Sequence, residues 1–189
     1  GNRMIRDKLP MLATLQLLAV NFAANIVPIN GYNTGVLSDM YPTGFTPPGW
    51  VFSIWLLIYI GLLAYSVAAW RAPSRLRARA ASVANLYYVN ALANSAWIFA
   101  WHYRQVLLSV LIMLVILGTL AAIFWKLRNQ PRPTWAEYFR VDAPFSLYFG
   151  WITAATLVNF GALCFERGMW PLGLSMDEWA LVTVCLASG

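Results

Sequence analysis

The sequence predicts an all-α membrane protein, a polytopic bundle of five transmembrane helices. A partial apolar segment at 178–189 reads either as the start of a sixth helix or as a stretch lying at the interface. Three observations carry this. Of the 189 residues, 60% are hydrophobic and only 11% are charged, too few charges to cover a soluble surface. The charges also cluster in short runs. Between them lie five apolar stretches of about 20 residues, the length that crosses a bilayer. Finally, positive charge concentrates in alternate connections, as expected of a chain that crosses the membrane repeatedly.

The first stretch, 9–29, follows Arg3, Arg6 and Lys8. A charged lead also opens a secretory signal, but this apolar run is too long for one and enters a Gly/Pro loop without a cleavage site. It is read as a retained helix. The connection from Asn30 to Pro48 carries Gly31, Gly35, Gly44, Pro42, Pro47 and Pro48, and is read as a turn-rich cap. Pro47-Pro48-Gly49 opens the second helix, 49–70, where proline is tolerated because first-turn N–H groups lack helical partners. The third, fourth and fifth helices are placed at 80–101, 105–126 and 143–165. A single domain covers 1–189, without internal repeats. Cys164 and Cys185 are expected to be buried thiols and not a disulfide framework.

Of the 13 Lys and Arg residues, eleven lie in the N-terminal segment, the connection after the second helix and the connection after the fourth. Only Arg104 and Arg167 fall on the other side. Positive loops stay cytoplasmic, so the N-terminus is expected inside and the first loop outside. The net charge of +6 therefore reflects topology and the lipid bilayer as partner. No nucleic-acid motif accompanies it, and nucleic acid is not an expected partner.

The helix centres contain no Asp, Glu, Lys, Arg or His. That argues against proton-coupled pumping, which needs intramembrane ionisable groups. His102 sits at the end of the third helix and is read as solvated. No carboxylate pair, nucleophile–base set or metal-ligand cluster can be assembled, which argues against conventional hydrolysis and metal chemistry. The embedded polar groups are instead asparagines and aromatics at helical spacing. Tyr87, Asn90, Asn94, Trp97 and Trp101 share one face of the third helix. Tyr148, Trp151, Ala155 and Asn159 share one face of the fifth. Trp55 and Tyr59 stand four apart on the second helix, as do Asn21 and Asn25 on the first. Two roles fit such stripes. Asparagines can act as interhelical glue, with tryptophans forming interfacial belts. Alternatively, facing stripes enclose a site for a flat, mostly apolar ligand, with aromatic walls and a few polar groups.

Several of these stretches resemble a known family. Pro47-Pro48-Gly49-Trp50-Val51-Phe52, followed by Trp55 and Tyr59, resembles the opening of the second helix in the TspO/MBR family, the tryptophan-rich sensory proteins related to the mitochondrial translocator protein. Asn94-Ser95-Ala96-Trp97-Ile98-Phe99 resembles that family's third-helix motif, Arg104-Gln105 its entry to the fourth helix, and Trp151 to Asn159 its fifth-helix motif. The resemblance runs in order from about residue 11 to 165. It implies a five-helix bundle, often dimeric, that binds porphyrins and synthetic ligands beneath the first loop. It implies a ligand site formed by Trp50, Trp55, Tyr59, Asn94, Trp97, Trp151 and Ala155, with Asn90 added from the third-helix stripe. Asn94 would orient the ligand's polar edge and the tryptophans would stack on it.

The chain also departs from the compact members of that family. Trp50 and Trp55 are five apart where those members have six, a difference of about 100° around the helix. Leu108 and Ile112 stand where some relatives carry Trp and Asp. Phe165 precedes Arg167 where a sterol pattern needs Tyr, so sterol binding is not expected. The first helix resembles a longer branch with extra helices after the fifth.

The expected function is a membrane receptor, sensor or carrier for a flat hydrophobic small molecule, a porphyrin or other tetrapyrrole, with no required cofactor. The alternative is an accessory structural subunit of a larger membrane pigment–protein complex; a homodimer fits the first reading. Light-dependent porphyrin breakdown, proposed for the family, finds no acid, base or metal here to support it.

Overall fold

The computed structural model describes residues 2–27, 30, 51–168, 178, 181 and 185. The expected cap at 31–48, the Pro47-Pro48-Gly49 opening and Trp50 lie outside the described residues. So does the apolar segment 178–189, apart from Glu178, Leu181 and Cys185. Among the described residues every regular element is helical. They are α1 (Asn2–Ile26), α2 (Val51–Arg71), α3 (Ser74–Ser82), α4 (Ala84–His102), α5 (Val106–Arg128), α6 (Trp135–Glu137), a π-helical turn (Tyr138–Asp142) and α7 (Ala143–Arg167).

Four segments are long and apolar enough to cross a membrane: Asn2–Ile26, Ser53–Arg71, Val106–Arg128 and Trp135–Arg167. The predicted third span, α4, is not among them. Its 19 residues rise about 28 Å, enough to span a hydrocarbon core of about 30 Å. Asn85, Asn90 and Asn94 lower its apolarity. Two of these are buried, Asn90 completely and Asn94 almost so, so their amides face protein. The packing contacts close a ring in the order α1, α2, α7, α5, α4. The outer surface is apolar: Leu12, Leu57, Leu92 and Leu111 are each more than half exposed. A water-soluble bundle would bury such residues, whereas lipid tails solvate them.

Three boundaries differ from the sequence expectation. α1 begins at Asn2, well before residue 9, and carries Pro10 inside it. The basic connection after α2 is not a loop but a helix, α3, and a break at Val83 delays the third span to Ala84. Arg, Leu and Ala are strong helix formers, and Leu76, Arg79 and Ala80 bury one shared face. The connection after α5 is also partly helical. Thr134 caps α6 by accepting the Glu137 amide at 3.3 Å, the usual device for an orphan first-turn N–H. α7 ends at Gly168, whose φ of 64° suits the left-handed position that stops a helix.

The basic connections meet at one end of the bundle. Arg79 donates from Nε and Nη2 to the two carboxylate oxygens of Asp142 at 2.8 and 2.6 Å, and to the Pro131 and Leu127 carbonyls. The bond to Asp142 raises the already high Arg79 pKa. Arg75 pairs with Glu137 at 2.8 Å, and Lys8 lies over the Trp70 ring, 5.5 Å from its centroid. Above this end three rings fill the bundle axis: Tyr65, Tyr87 and Phe145 meet edge to face with centroids 4.7–5.7 Å apart.

Gly61 fixes how closely α2 approaches α7. A Cβ there would stand 2.9 Å from Pro144 Cβ, a rigid ring atom that cannot swing aside. Gly61→Ala should therefore lose about 1–3 kcal/mol to overpacking and regain about 1 kcal/mol of helix propensity. The expected net loss, about 1 kcal/mol, is read as a lower Tm in detergent. A higher Tm would show that the two helices separate freely.

Candidate ligand site

α1, α4 and α7 run from the basic end towards the far end, and α2 and α5 return. Above the Tyr65–Tyr87–Phe145 plug this brings a layer of polar side chains to the axis. Asn21 on α1 donates from Nδ2 to Asn94 Oδ1 on α4 at 2.8 Å, and to the Leu17 carbonyl one turn back. Asn94 donates in turn to the Tyr148 hydroxyl on α7 at 2.8 Å. Tyr59 on α2 donates to Asn21 Oδ1 at 3.3 Å. Four helices are thus tied at one level. Each end of the Asn94 amide makes one bond to another helix, the arrangement of interhelical glue.

Over this layer stand half-buried aromatics. Trp55 packs on Tyr59 at 5.8 Å and meets Trp151 edge to face at 6.2 Å. Phe22 of α1 closes against Tyr59 at 5.9 Å. Ala155, one turn beyond Trp151, packs on the same core. The Trp151 indole Nε1 is buried with no hydrogen-bond partner among the described residues. A buried donor without an acceptor costs about 1–3 kcal/mol, and this one stands beside the paired Asn21–Asn94–Tyr148 layer. Further along, Trp97 stacks on Trp101 at 5.6 Å. Its Nε1 donates to Asn159 Oδ1 at 2.9 Å, and Asn159 donates to Ser109 Oγ at 3.0 Å.

The sequence-predicted residues therefore divide. Trp55, Tyr59, Trp151 and Ala155 gather on one side, with Asn94 beneath them and linked to Tyr59 through Asn21. Trp97 belongs to a neighbouring layer, its N–H already taken. Asn90 turns away towards α5 and donates to Thr119 Oγ1 at 3.1 Å, although its Oδ1 has no partner among the described residues. Trp50 lies outside the described residues. Two surface clefts lie elsewhere, at α1 and α4, and no sequence-predicted site residue lines either.

Two further expectations change. His102 is completely buried and not solvated. Its ring turns back along α4, with Nδ1 2.7 Å from the Ile98 carbonyl, while Asn30 reaches the His102 carbonyl at 3.2 Å. Cys164 is buried as expected, but Cys185 is exposed.

An all-helical bundle, a polar belt on Asn21, Asn94 and Asn159, and an aromatic group on Trp55 and Trp151 now stand together. A family model described as "TSPO-like protein" matches residues 8–189. The chain belongs to the TSPO-like family. No curated protein and no solved structure matches it. As a TSPO-like chain with four helices apolar enough to cross a bilayer, it is an integral membrane protein in contact with lipid. Among the described residues no three His, Cys, Asp or Glu side chains gather to hold a metal ion.

Sequence reasoning left Asn21 out of the site and overlooked Thr14 and Ser66. Thr14 Oγ1 lies 2.6 Å from Ser66 Oγ and also contacts the Tyr87 hydroxyl. The available signal was spacing by seven. Thr14 and Asn21 repeat on α1 as Tyr87, Asn94 and Trp101 do on α4, and such repeats keep two helices in register. The four-residue spacing of Asn21 and Asn25 pointed elsewhere: Asn25 is exposed and donates to the Asn21 carbonyl.

Proposed function

We propose that this TSPO-like protein is a membrane receptor or carrier for a flat hydrophobic ligand of the porphyrin class. The ligand would lie on the Trp55–Tyr59–Trp151 face, over the Asn21–Asn94–Tyr148 layer. The observation that carries this is the Trp151 Nε1 donor, buried beside half-buried rings with no acceptor among the described residues. Ligand sites combine such aromatic walls with a few placed polar groups. Asn94 acts indirectly, by holding Tyr59 and Tyr148 in place. The charged connections gathered at one end favour that end as cytoplasmic, which leaves the aromatic face towards the external side.

The test is a porphyrin titration of the detergent-purified protein, following tryptophan fluorescence and the porphyrin absorption band together. Saturable binding is expected. Trp151→Phe keeps a ring but removes the donor, and should weaken binding about 5–10-fold, the value of one hydrogen bond. Trp151→Ala should weaken it further. Unchanged affinity in both variants would show that the ligand lies elsewhere, and no saturable binding by the wild type would remove the porphyrin reading.

A further inference from the structure

The basic end of the bundle holds a cleft of about 710 Å3 between the first turns of α1, α3 and the start of α4. Arg3 and Arg6 of α1 and Arg77 of α3 line it, with Asp7 as its one carboxylate. Arg75 and Arg79 on the same short helix as Arg77 have carboxylate partners, whereas Arg3, Arg6 and Arg77 make no ion pair among the described residues. Three guanidiniums against one carboxylate leave two net positive charges around the cleft. Arg3 and Arg6 stand one turn apart on α1, close enough to repel unless an anion lies between them and Arg77.

The cleft does not end at the charged level. Leu9 and Tyr88 line both it and a second, almost wholly apolar trough of about 220 Å3 between α1 and α4. The trough runs from Leu9 to Gln16, about 10 Å along the helix, and opens outward between Leu12 and Leu92, both well exposed. A cationic rim therefore continues into an apolar channel facing the hydrocarbon. The trough is too small for a packed helix, whose diameter is about 10 Å, and a free anion would leave it empty. Basic pockets at the ends of transmembrane helices suit anionic lipid headgroups, and guanidinium forks match phosphate oxygens.

We propose that this site binds an anionic glycerophospholipid, its phosphodiester held among Arg3, Arg6 and Arg77 and one acyl chain lying in the α1–α4 trough. The site is separate from the Trp55–Trp151 face and does not depend on what that face binds.

The experiment is native mass spectrometry of the delipidated, detergent-solubilised full chain, titrated separately with phosphatidylglycerol, phosphatidylcholine and the soluble headgroup probe sn-glycerol 3-phosphate. Preferential retention of phosphatidylglycerol is expected. The Arg6→Gln, Arg77→Gln double variant should lose about 10–30-fold in affinity for it, at about 1 kcal/mol per basic residue. Arg128→Gln, which removes an exposed charge outside the cleft, should bind like wild type, and circular dichroism checks that each variant is folded. Equal binding of the two lipids would overturn the proposal by showing uptake without headgroup selection, and an equal loss in Arg128→Gln would overturn it by showing charge attraction without a site. Glycerol phosphate binding as tightly as the lipid would also overturn it, since the site would then take a free phosphate and leave the trough unused.

Discussion

Arg79→Ala should destabilise the bundle by about 3–5 kcal/mol, the largest single effect expected in this chain. The guanidinium is almost fully buried and holds together three segments that are distant in sequence: α3, the end of α5 and the π-helical turn before α7. Removing one partner of a buried pair leaves the other charge without compensation. Here Asp142 would lose both of its short bonds, the Pro131 carbonyl would lose its Arg79 donor, and the Leu127 carbonyl would keep the Gln130 N–H. Because the Arg79 pKa is raised in the folded state, the guanidinium's contribution is present at every pH below its ordinary value. On the guanidinium's side it is lost as the pH rises into the strongly alkaline range. Unfolding in mixed detergent micelles gives the measurement. Arg79→Lys keeps the charge but not the two-pronged geometry, and should fall between Ala and wild type. Arg79→Met combined with Asp142→Leu should recover most of the loss, because replacing both members of a buried pair by apolar groups is often close to neutral. An alanine variant within 1 kcal/mol of wild type would mean that the pair is solvated and contributes little.

Asn94→Leu should cost about 1–3 kcal/mol. The change breaks the Asn21–Asn94 and Asn94–Tyr148 bonds, and hydrogen bonds between transmembrane helices are worth about 0.6–1.7 kcal/mol each. Asn21 keeps its bond to the Leu17 carbonyl, which limits the loss on α1, while the completely buried Tyr148 hydroxyl loses its Asn94 donor. The distinguishing readout is the relation between stability and binding. If Asn94 is structural glue, porphyrin affinity measured well below the Tm should change less than in Trp151→Ala. A larger loss of affinity than in Trp151→Ala, with stability unchanged, would return Asn94 to direct contact with the ligand.

Much of the architecture is legible in the sequence because lipid imposes a simple rule. Backbone polar groups inside a bilayer must be satisfied within the helix, so each apolar stretch of about 20 residues has one available form. Stretches 49–70, 105–126 and 143–165 correspond closely to α2, α5 and α7. α4 illustrates the limit of counting apolar residues. Its asparagines make it less apolar than the four spanning candidates, and only the ring of neighbours shows that Asn90 and Asn94 are sheltered. The aromatic residues of the candidate site were also legible, since Trp55 and Tyr59, and Trp151 and Ala155, lie one helical turn apart.

The sequence by itself determined the helical class, the approximate spans, the gathering of basic connections and which stripes face inward, because length, apolarity and helical period are local properties. The tertiary structure alone decided which inward polar groups satisfy one another. An asparagine has the same four hydrogen-bonding positions whether it serves a ligand or another helix. Asn94 has one position at each end taken, by Asn21 and Tyr148, and the Trp97 N–H is taken by Asn159, whereas the Trp151 N–H has no partner among the described residues. That outcome depends on how far each helix has rotated and slid against its neighbours, and no single stretch of sequence encodes it.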